Sequence, residues 1–260
     1  PEGSKNSKGR AIQNLINIEQ DDKVKAFICT QDLKDEDYIN SHYVIMATKM
    51  GQVKKTSLEQ YSRPRSNGIN AITIKDNDEL LEAKLTNGSS QIMLAVKSGK
   101  AIRFEESKTR PMGRNASGVR GIRLKDKSDE VIGMVSVKDM DENILVVSEN
   151  GYGKRSSLEN YRLTNRGGKG VKTISITEKT GKLVTIKSVS DNDDLMIINK
   201  SGIAIRMQVE DLRVMGRATQ GVKAISIKEG DSIAAVAKVM KDEDDIEDIE
   251  DIEFEGDTVK

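Results

Sequence analysis

Short runs of apolar residues alternate with glycine turns along most of the chain, and this arrangement repeats four times. Each segment shows an apolar strand, a turn glycine, a short basic strand, a loop, a second glycine and further strands. The turn glycines stand at positions 51, 99, 151 and 202, and the second glycines at 68, 118, 170 and 221. The spacings are therefore 48 to 52 residues for both markers. Two independent markers with one period indicate a structural repeat.

The apolar runs of the repeat have the composition of β-strands. An example is Ile92 to Val96, and alternating runs such as Ala71–Ile74 and Ala224–Ile227 predict further strands that close a unit. Strands bounded by Gly, Asn and Asp are joined by hairpins, because these residues readily adopt a positive φ. Four strands in each period of about fifty residues predict an all-β, propeller-like array of four-stranded blades. No helical periodicity of useful length competes with this interpretation.

The repeats begin near residues 43, 91, 143 and 194, and residues 1–30 match only the second half of a unit. We therefore expect one domain over residues 1–239, made of a half blade and four repeats, with a polar, acidic insertion at 31–40. Residues 240–260 contain eleven acidic residues and two lysines, a composition that predicts a disordered tail. Because the chain begins with Pro1, we expect it to be a piece of a longer protein.

A net charge of zero hides an asymmetry between the body and the tail. Residues 1–239 hold 40 basic and 31 acidic residues, a net charge of +9. A basic body predicts a polyanionic partner, and the acidic tail predicts a segment that competes with that partner. With a single cysteine, Cys29, and no apolar run of about 18 residues, we expect a cytoplasmic protein that does not enter a membrane.

The basic residues recur in phase with the repeat, which scattered solvent-exposed lysines would not do. Equivalent loops of successive blades lie side by side, so cations in phase form a continuous stripe. Arginine suits phosphate, and glycines let backbone N–H groups approach the same oxygens. We therefore predict a phosphate-binding stripe, to which the Gly-rich loop at 166–170 contributes more than its counterparts. Its members are Lys54, Lys55, Arg63, Arg65, Arg103, Arg110, Arg114, Arg120, Lys154, Arg155, Arg162, Arg166, Gly167, Gly168, Lys169, Gly170, Lys172, Arg206, Arg213, Arg217 and Lys223.

Duplex DNA is the expected partner, and no catalytic group is expected in this chain. Aromatic residues make up 3% of the chain, so the stacking platforms of single-strand binders are missing, and Tyr61 and Tyr161 are predicted to anchor loops. His42 is the only histidine, which argues against a metal site or a catalytic triad. The Gly-rich loop lacks the spacing of an ATP-binding loop, so no cofactor is expected.

The chain resembles the C-terminal domain of the bacterial DNA gyrase A subunit. The resemblance is carried by Asn150 to Arg155, by Gly118 to Leu124 and by Gly9 to Leu15, and it extends from residue 1 to 239. It implies a β-pinwheel, in which blades exchange a strand, and a basic perimeter that wraps DNA to direct negative supercoiling. It also implies an ATP-hydrolysing type II topoisomerase built as A2B2, whose cleavage and ATPase sites lie elsewhere, and a nucleoid-associated location.

One motif departs from that family. Its Q-R-R-G-G-K-G box is matched only at 166–170, which keep R-G-G-K-G without the leading Q-R. The equivalent domain of topoisomerase IV, which resembles gyrase with a degenerate box and recruits DNA crossings, therefore stays open as an alternative. A protein-binding propeller scaffold is a further alternative.

Overall fold

A computed structural model describes residues 22–137, 139–228 and 230–240, together with the single positions 14 and 16. The acidic tail from 241 onward and most of residues 1–21, including the predicted half-unit motif Gly9 to Leu15, lie outside the described residues. The elements in chain order are α1 (Glu36–Ser41), β1 (Tyr43–Thr48), β2 (Gln52–Ser57), β3 (Leu80–Thr86), β4 (Gln91–Val96), β5 (Lys100–Glu105), β6 (Val119–Arg120), β7 (Val131–Val137), β8 (Asn143–Ser148), β9 (Tyr152–Ser157), β10 (Val171–Lys172), β11 (Leu183–Val189), β12 (Asp193–Asn199), β13 (Ala204–Gln208), β14 (Val222–Lys223) and β15 (Ile233–Met240).

Each repeat forms a hairpin with a third antiparallel strand beside it. The sheet orders are β3-β1-β2-β6, β7-β4-β5-β10, β11-β8-β9-β14 and, for the last unit, β15-β12-β13. The turn glycines 51, 99, 151 and 202 have φ between +78° and +87°, a conformation that favours glycine and lets the chain reverse at these positions. The all-β, propeller-like fold predicted from the sequence is confirmed.

The fourth strand of a sheet comes from the following repeat. Val119 pairs with Val53, Val171 with Ala101, and Val222 with Gly153. This exchange of a strand between neighbours is what the resemblance to a β-pinwheel implies. The runs Ala71–Ile74 and Ala224–Ile227, both predicted as strands, have no strand assignment. In the fourth unit this is because the exchanged strand is Val222–Lys223, directly before the predicted run. In the later units the exchanged strand is only two residues long.

The hydrophobic core lies between successive sheets. Along β4, Leu94 packs towards the first sheet, in a cluster with Ile45 and Val53, whereas Met93 packs towards the third sheet, in a cluster with Val146. Since alternate side chains point to opposite faces of a strand, both faces of β4 are buried. That explains why its sequence is continuously apolar rather than alternating.

The outer face of the first sheet is covered by residues that precede it in the chain. On the outer face of the first sheet, Val44 and Met46 pack with Ile28, Leu33 and Ile39. Residues 22–28, which precede this sheet in the chain, form no strand. The predicted insertion at 31–40 contains most of α1. Asp35 caps this helix with its side chain, accepting bonds from the N–H groups of residues 37 and 38. This short helix was not predicted from the sequence, because six residues are too few to show a helical period.

Candidate nucleic-acid interface

Four loops link the hairpin of each unit to its exchanged strand or the corresponding segment, and we call them the rim loops (residues 62–68, 109–118, 161–170 and 212–221). The last three cross the sheet of the preceding unit in one register. Met112 N donates to Lys55 O at 2.8 Å, Thr164 N to Arg103 O at 2.9 Å, and Met215 N to Arg155 O at 2.8 Å. The backbone of each of these rim loops is therefore fixed by the neighbouring unit.

Buried cations beneath the rim loops bind backbone carbonyls or a carboxylate of the following unit. Arg103 Nη1 donates to the carbonyls of Leu158 and Tyr161 at 2.9 and 3.0 Å. Arg155 Nε donates to Leu212 O at 2.5 Å, at the equivalent place in the next unit. In the first unit the corresponding cation is Lys55, whose Nζ lies 2.9 Å from Oε1 of the buried Glu106. Each cation is thus hydrogen-bonded or ion-paired inside the protein, as buried charges require.

Two lysines are buried completely, and both tie a rim loop to the preceding hairpin. Lys54 Nζ donates to Ala71 O at 2.5 Å and to Arg114 O, and Lys154 Nζ donates to Gly216 O at 2.6 Å. Burial, together with the charge of a neighbouring arginine, lowers the pKa of both lysines to about 8. In the second unit Ile102 occupies this place, so the Gly-rich loop rests on an apolar side chain instead.

These contacts show that part of the predicted phosphate-binding stripe faces the interior of the protein. Five of its members are between 0 and 7% exposed and engage protein atoms, namely Lys54, Lys55, Arg103, Lys154 and Arg155. We therefore exclude them from the candidate surface, because a phosphate cannot reach a cation that the protein encloses. Arg206 belongs to the last sheet and pairs with Asp194 at 2.7 Å.

The remaining predicted cations lie on or beside the rim loops, and we call the exposed ones the rim cations. They are Arg63, Arg65, Arg110, Arg120, Arg162, Lys169, Lys172, Arg213 and Lys223. Sequence reasoning missed Lys100, which pairs with Lys172 across β5 and β10. Its signal was its place directly after a turn glycine. Lys100 and Lys172 line one cleft of about 410 Å³ together with Lys97, Lys125 and Lys182.

Three half-buried arginines link the rim from unit to unit. Arg114 Nη1 donates to Asn70 O at 3.3 Å, Arg166 Nη1 to Arg120 O at 3.0 Å, and Arg217 Nη1 to Lys172 O at 2.9 Å. Each bond joins a rim loop to the same position in the preceding unit. Each of the last three rim loops is therefore bonded to the segment that directly follows the preceding rim loop.

The glycines of the third rim loop serve packing. Gly167 N donates to Gly121 O at 2.6 Å, so this N–H is already used within the protein. Gly170 has a φ of +68°, and a Cβ there would lie 2.5 Å from Ala101 O. Gly168 and Lys169 are exposed at the tip. The prediction that Gly167 offers its backbone N–H to phosphate therefore does not fit, because the neighbouring unit accepts that hydrogen bond.

Tyrosines and the histidine occupy structural places. Tyr161 is 1% exposed and its hydroxyl lies 2.5 Å from Thr173 Oγ1, while the Tyr61 hydroxyl donates to Ala71 O at 3.1 Å. Both tyrosines anchor loops, as predicted. His42 ends α1, with Nδ1 2.8 Å from Tyr38 O. Among the described residues no cluster of His, Cys, Asp and Glu could hold a metal ion, and the longest helix, α1, has six residues, far short of a membrane span.

Solved structures share this architecture. A crystal structure of the C-terminal domain of DNA topoisomerase IV superposes with a TM-score of 0.82 at 24% identity, covering 95% of this chain and 76% of that one. A DNA gyrase A C-terminal domain superposes with a TM-score of 0.78, also at 24% identity, covering 90% of this chain and 76% of that one. At this identity the likeness supports the fold.

Sequence relatives share more of the residues. The DNA gyrase A subunits of Staphylococcus epidermidis and of Staphylococcus aureus are each 43% identical over 240 residues, which is 92% of this chain and 26% of each relative. This chain thus spans about a quarter of their length. The family model described as "DNA gyrase C-terminal domain, beta-propeller" matches residues 42–87, 91–138, 142–190 and 193–240. These four matches coincide with the four repeats and cover most of the sequence. The chain therefore belongs to the DNA gyrase C-terminal domain family.

Proposed function

We propose that this chain binds double-stranded DNA along the rim and wraps it, as part of a type II topoisomerase that introduces negative supercoils. The observation that carries the proposal is the phase of the rim cations, which recur on or beside loops that are each bonded to the segment following the preceding rim loop. Membership of the family supports the same conclusion. The rim would serve as the binding surface, with the sheets as a rigid support.

Phosphate contacts explain both affinity and bending. Nine exposed cations on successive units can neutralise phosphates over a long path without reading the bases. Bending a site of 20–30 base pairs by 40–90° costs about 1–6 kcal/mol. Charge-assisted contacts distributed along that path offset this cost, because each extra contact becomes available only when the duplex follows the rim.

The test is a titration of a random 40-base-pair duplex at several salt concentrations. If all nine rim cations contact phosphate, the log–log slope of affinity against salt should be about −8, since each contact contributes about −0.9. The variant R110A/R162A/R213A should lose about 2.7 from this slope. A matched variant, K75A/K127A/K228A, removes the same charge from exposed lysines outside the rim loops. Equal losses of salt slope in both variants, or a wild-type slope near zero, would refute the proposal that the rim cations bind DNA.

Wrapping needs a separate measurement, because the topoisomerase IV alternative predicts binding without it. Relaxed circular plasmid is incubated with the chain, treated with a type I topoisomerase and freed of protein. A wrapping domain traps writhe, which appears as a shift in linking number that grows with the protein-to-DNA ratio. Salt-dependent binding with no trapped writhe would favour recruitment of DNA crossings, and no binding at all would favour a protein-binding scaffold.

We further propose that the partners in an A2B2 assembly are an ATPase-bearing B subunit, together with the rest of a gyrase A subunit. The relatives extend far beyond this chain, so cleavage and ATP hydrolysis would belong to segments or subunits outside it. No cofactor is proposed here. A domain with this role acts where the bacterial chromosome lies, in the cytoplasm.

A further inference from the structure

An exposed apolar residue recurs at one position of every rim loop. It directly follows an exposed arginine in the pairs Arg63-Pro64, Arg110-Pro111, Arg162-Leu163 and Arg213-Val214. Leu163 is 46% exposed and Val214 is 55% exposed. A single exposed apolar residue is ordinary. Pro111, Leu163 and Val214 share one backbone register, Pro64 follows the corresponding arginine of the first rim loop, and this recurrence beside a cation indicates a contact made by the four loops together.

The backbone holds these residues in a fixed register. Pro111, Leu163 and Val214 each form an isolated parallel bridge, to Lys55, Arg103 and Arg155 respectively. The next residue in each loop donates a hydrogen bond to the same strand position at 2.8–2.9 Å. The apolar side chains are therefore presented by rigid backbone, which limits the entropy lost when a ligand covers them.

An exposed arginine directly precedes each apolar residue, and this mixture restricts the ligand. Around Leu163 the same loop carries Arg162 and, further on, Lys169. A purely apolar partner would leave these charges desolvated without a counter-charge, which is costly. The sugar–phosphate backbone of duplex DNA instead presents apolar deoxyribose faces between charged phosphates. It therefore offers both the apolar and the anionic groups that a rim loop can contact.

We propose that Pro64, Pro111, Leu163 and Val214 pack against deoxyribose rings of the wrapped duplex, between the phosphates that the neighbouring arginines contact. This inference rests on the proposed function and adds a contact that carries no charge. Such a contact contributes to affinity by burying apolar surface, so it releases no counterions. Affinity and salt dependence therefore separate the two kinds of residue.

The experiment compares three variants of the full chain on the 40-base-pair duplex. L163S/V214S should bind about ten-fold more weakly at every salt concentration, with the slope of the wild type, because only apolar burial is lost. R162A/R213A should lose about 1.8 from the slope. The control M50S/I74S removes apolar side chains that are 41 and 42% exposed outside the rim loops, and it should bind like the wild type.

A conservative variant guards against misfolding. L163M/V214I keeps apolar side chains at both positions and should retain wild-type affinity and thermal stability. The inference is overturned if L163S/V214S binds within two-fold of the wild type while R162A/R213A lowers the slope, and the proposed function then stands alone. It is also overturned if L163S/V214S changes the slope, since that would mean that the substitution acts by displacing cations. A wild type without salt-dependent binding removes both proposals.

Discussion

Replacing Arg103 with methionine should destabilise the protein rather than remove a DNA contact. Arg103 is 7% exposed, and its guanidinium donates to Tyr161 O, to Leu158 O and to Gln91 Oε1. Leu158 O keeps a second donor, the N–H of residue 161, in the variant. The substitution therefore leaves two acceptors without their arginine donor, the buried Tyr161 carbonyl and the half-buried Gln91 Oε1. At about 1–3 kcal/mol for the carbonyl, and less for the amide oxygen that water can reach, we expect a loss of about 1–3 kcal/mol.

Urea unfolding followed by circular dichroism measures this loss, and the DNA salt slope is measured on the same samples at a temperature where both proteins are folded. Arg162→Met is the matched control, because Arg162 is exposed in the rim loop that Arg103 supports. The control should change stability by less than about 0.5 kcal/mol and lower the slope by about 0.9. The assignment of Arg103 fails if its variant unfolds like the wild type and lowers the slope by the amount expected for one phosphate contact.

Three further predictions address the buried lysines, the Gly-rich loop and the tail. The pKa of Lys154 is about 8 in the folded protein against an ordinary 10.5, so the unfolded chain binds more protons between these values and stability should rise with pH there, by up to about 1.4 kcal/mol per pH unit. Urea unfolding at pH 8 and 10 should show a smaller rise for Lys154→Met, and an unchanged rise would contradict the lowered pKa. Gly170→Ala should lower the free energy of unfolding by more than about 1 kcal/mol, because of its positive φ and the nearby carbonyl. Gly216→Ala, with open space around it, should lower it less, and equal losses of stability would refute the packing argument. Deleting residues 241–260, which spares β15, should tighten DNA binding most at low salt if the acidic tail competes for the rim; equal affinities at about 50 mM salt would leave the tail without that role.

The repeat and its hairpins could be predicted because they rest on local chemistry. A turn glycine is needed wherever the chain reverses with a positive φ, so Gly51 and its three counterparts mark the units directly. The apolar runs predicted the first strand of each unit because most of its side chains are buried, on both faces in the first three units. The short strands Val119–Arg120 and Val171–Lys172 were less visible, because two residues carry no period and their partners lie in another unit.

The sequence also predicted that cations would align from unit to unit, but it did not separate the cations that face solvent from those that face the protein. Lys154 and Arg155 show why. Adjacent residues of a strand point to opposite faces, so the sequence pattern predicts that at least one of the two is exposed. In the tertiary structure, Lys154 reaches Gly216 O and Arg155 reaches Leu212 O, because the fourth unit's rim loop and the turn before it cover this strand. The sequence by itself thus determined the repeat, the strands and the phase of the charges. Only the packing of one unit on the next decided which charges support the rim loops from beneath and which form the exposed surface, because burial depends on contacts between residues 55 to 62 positions apart.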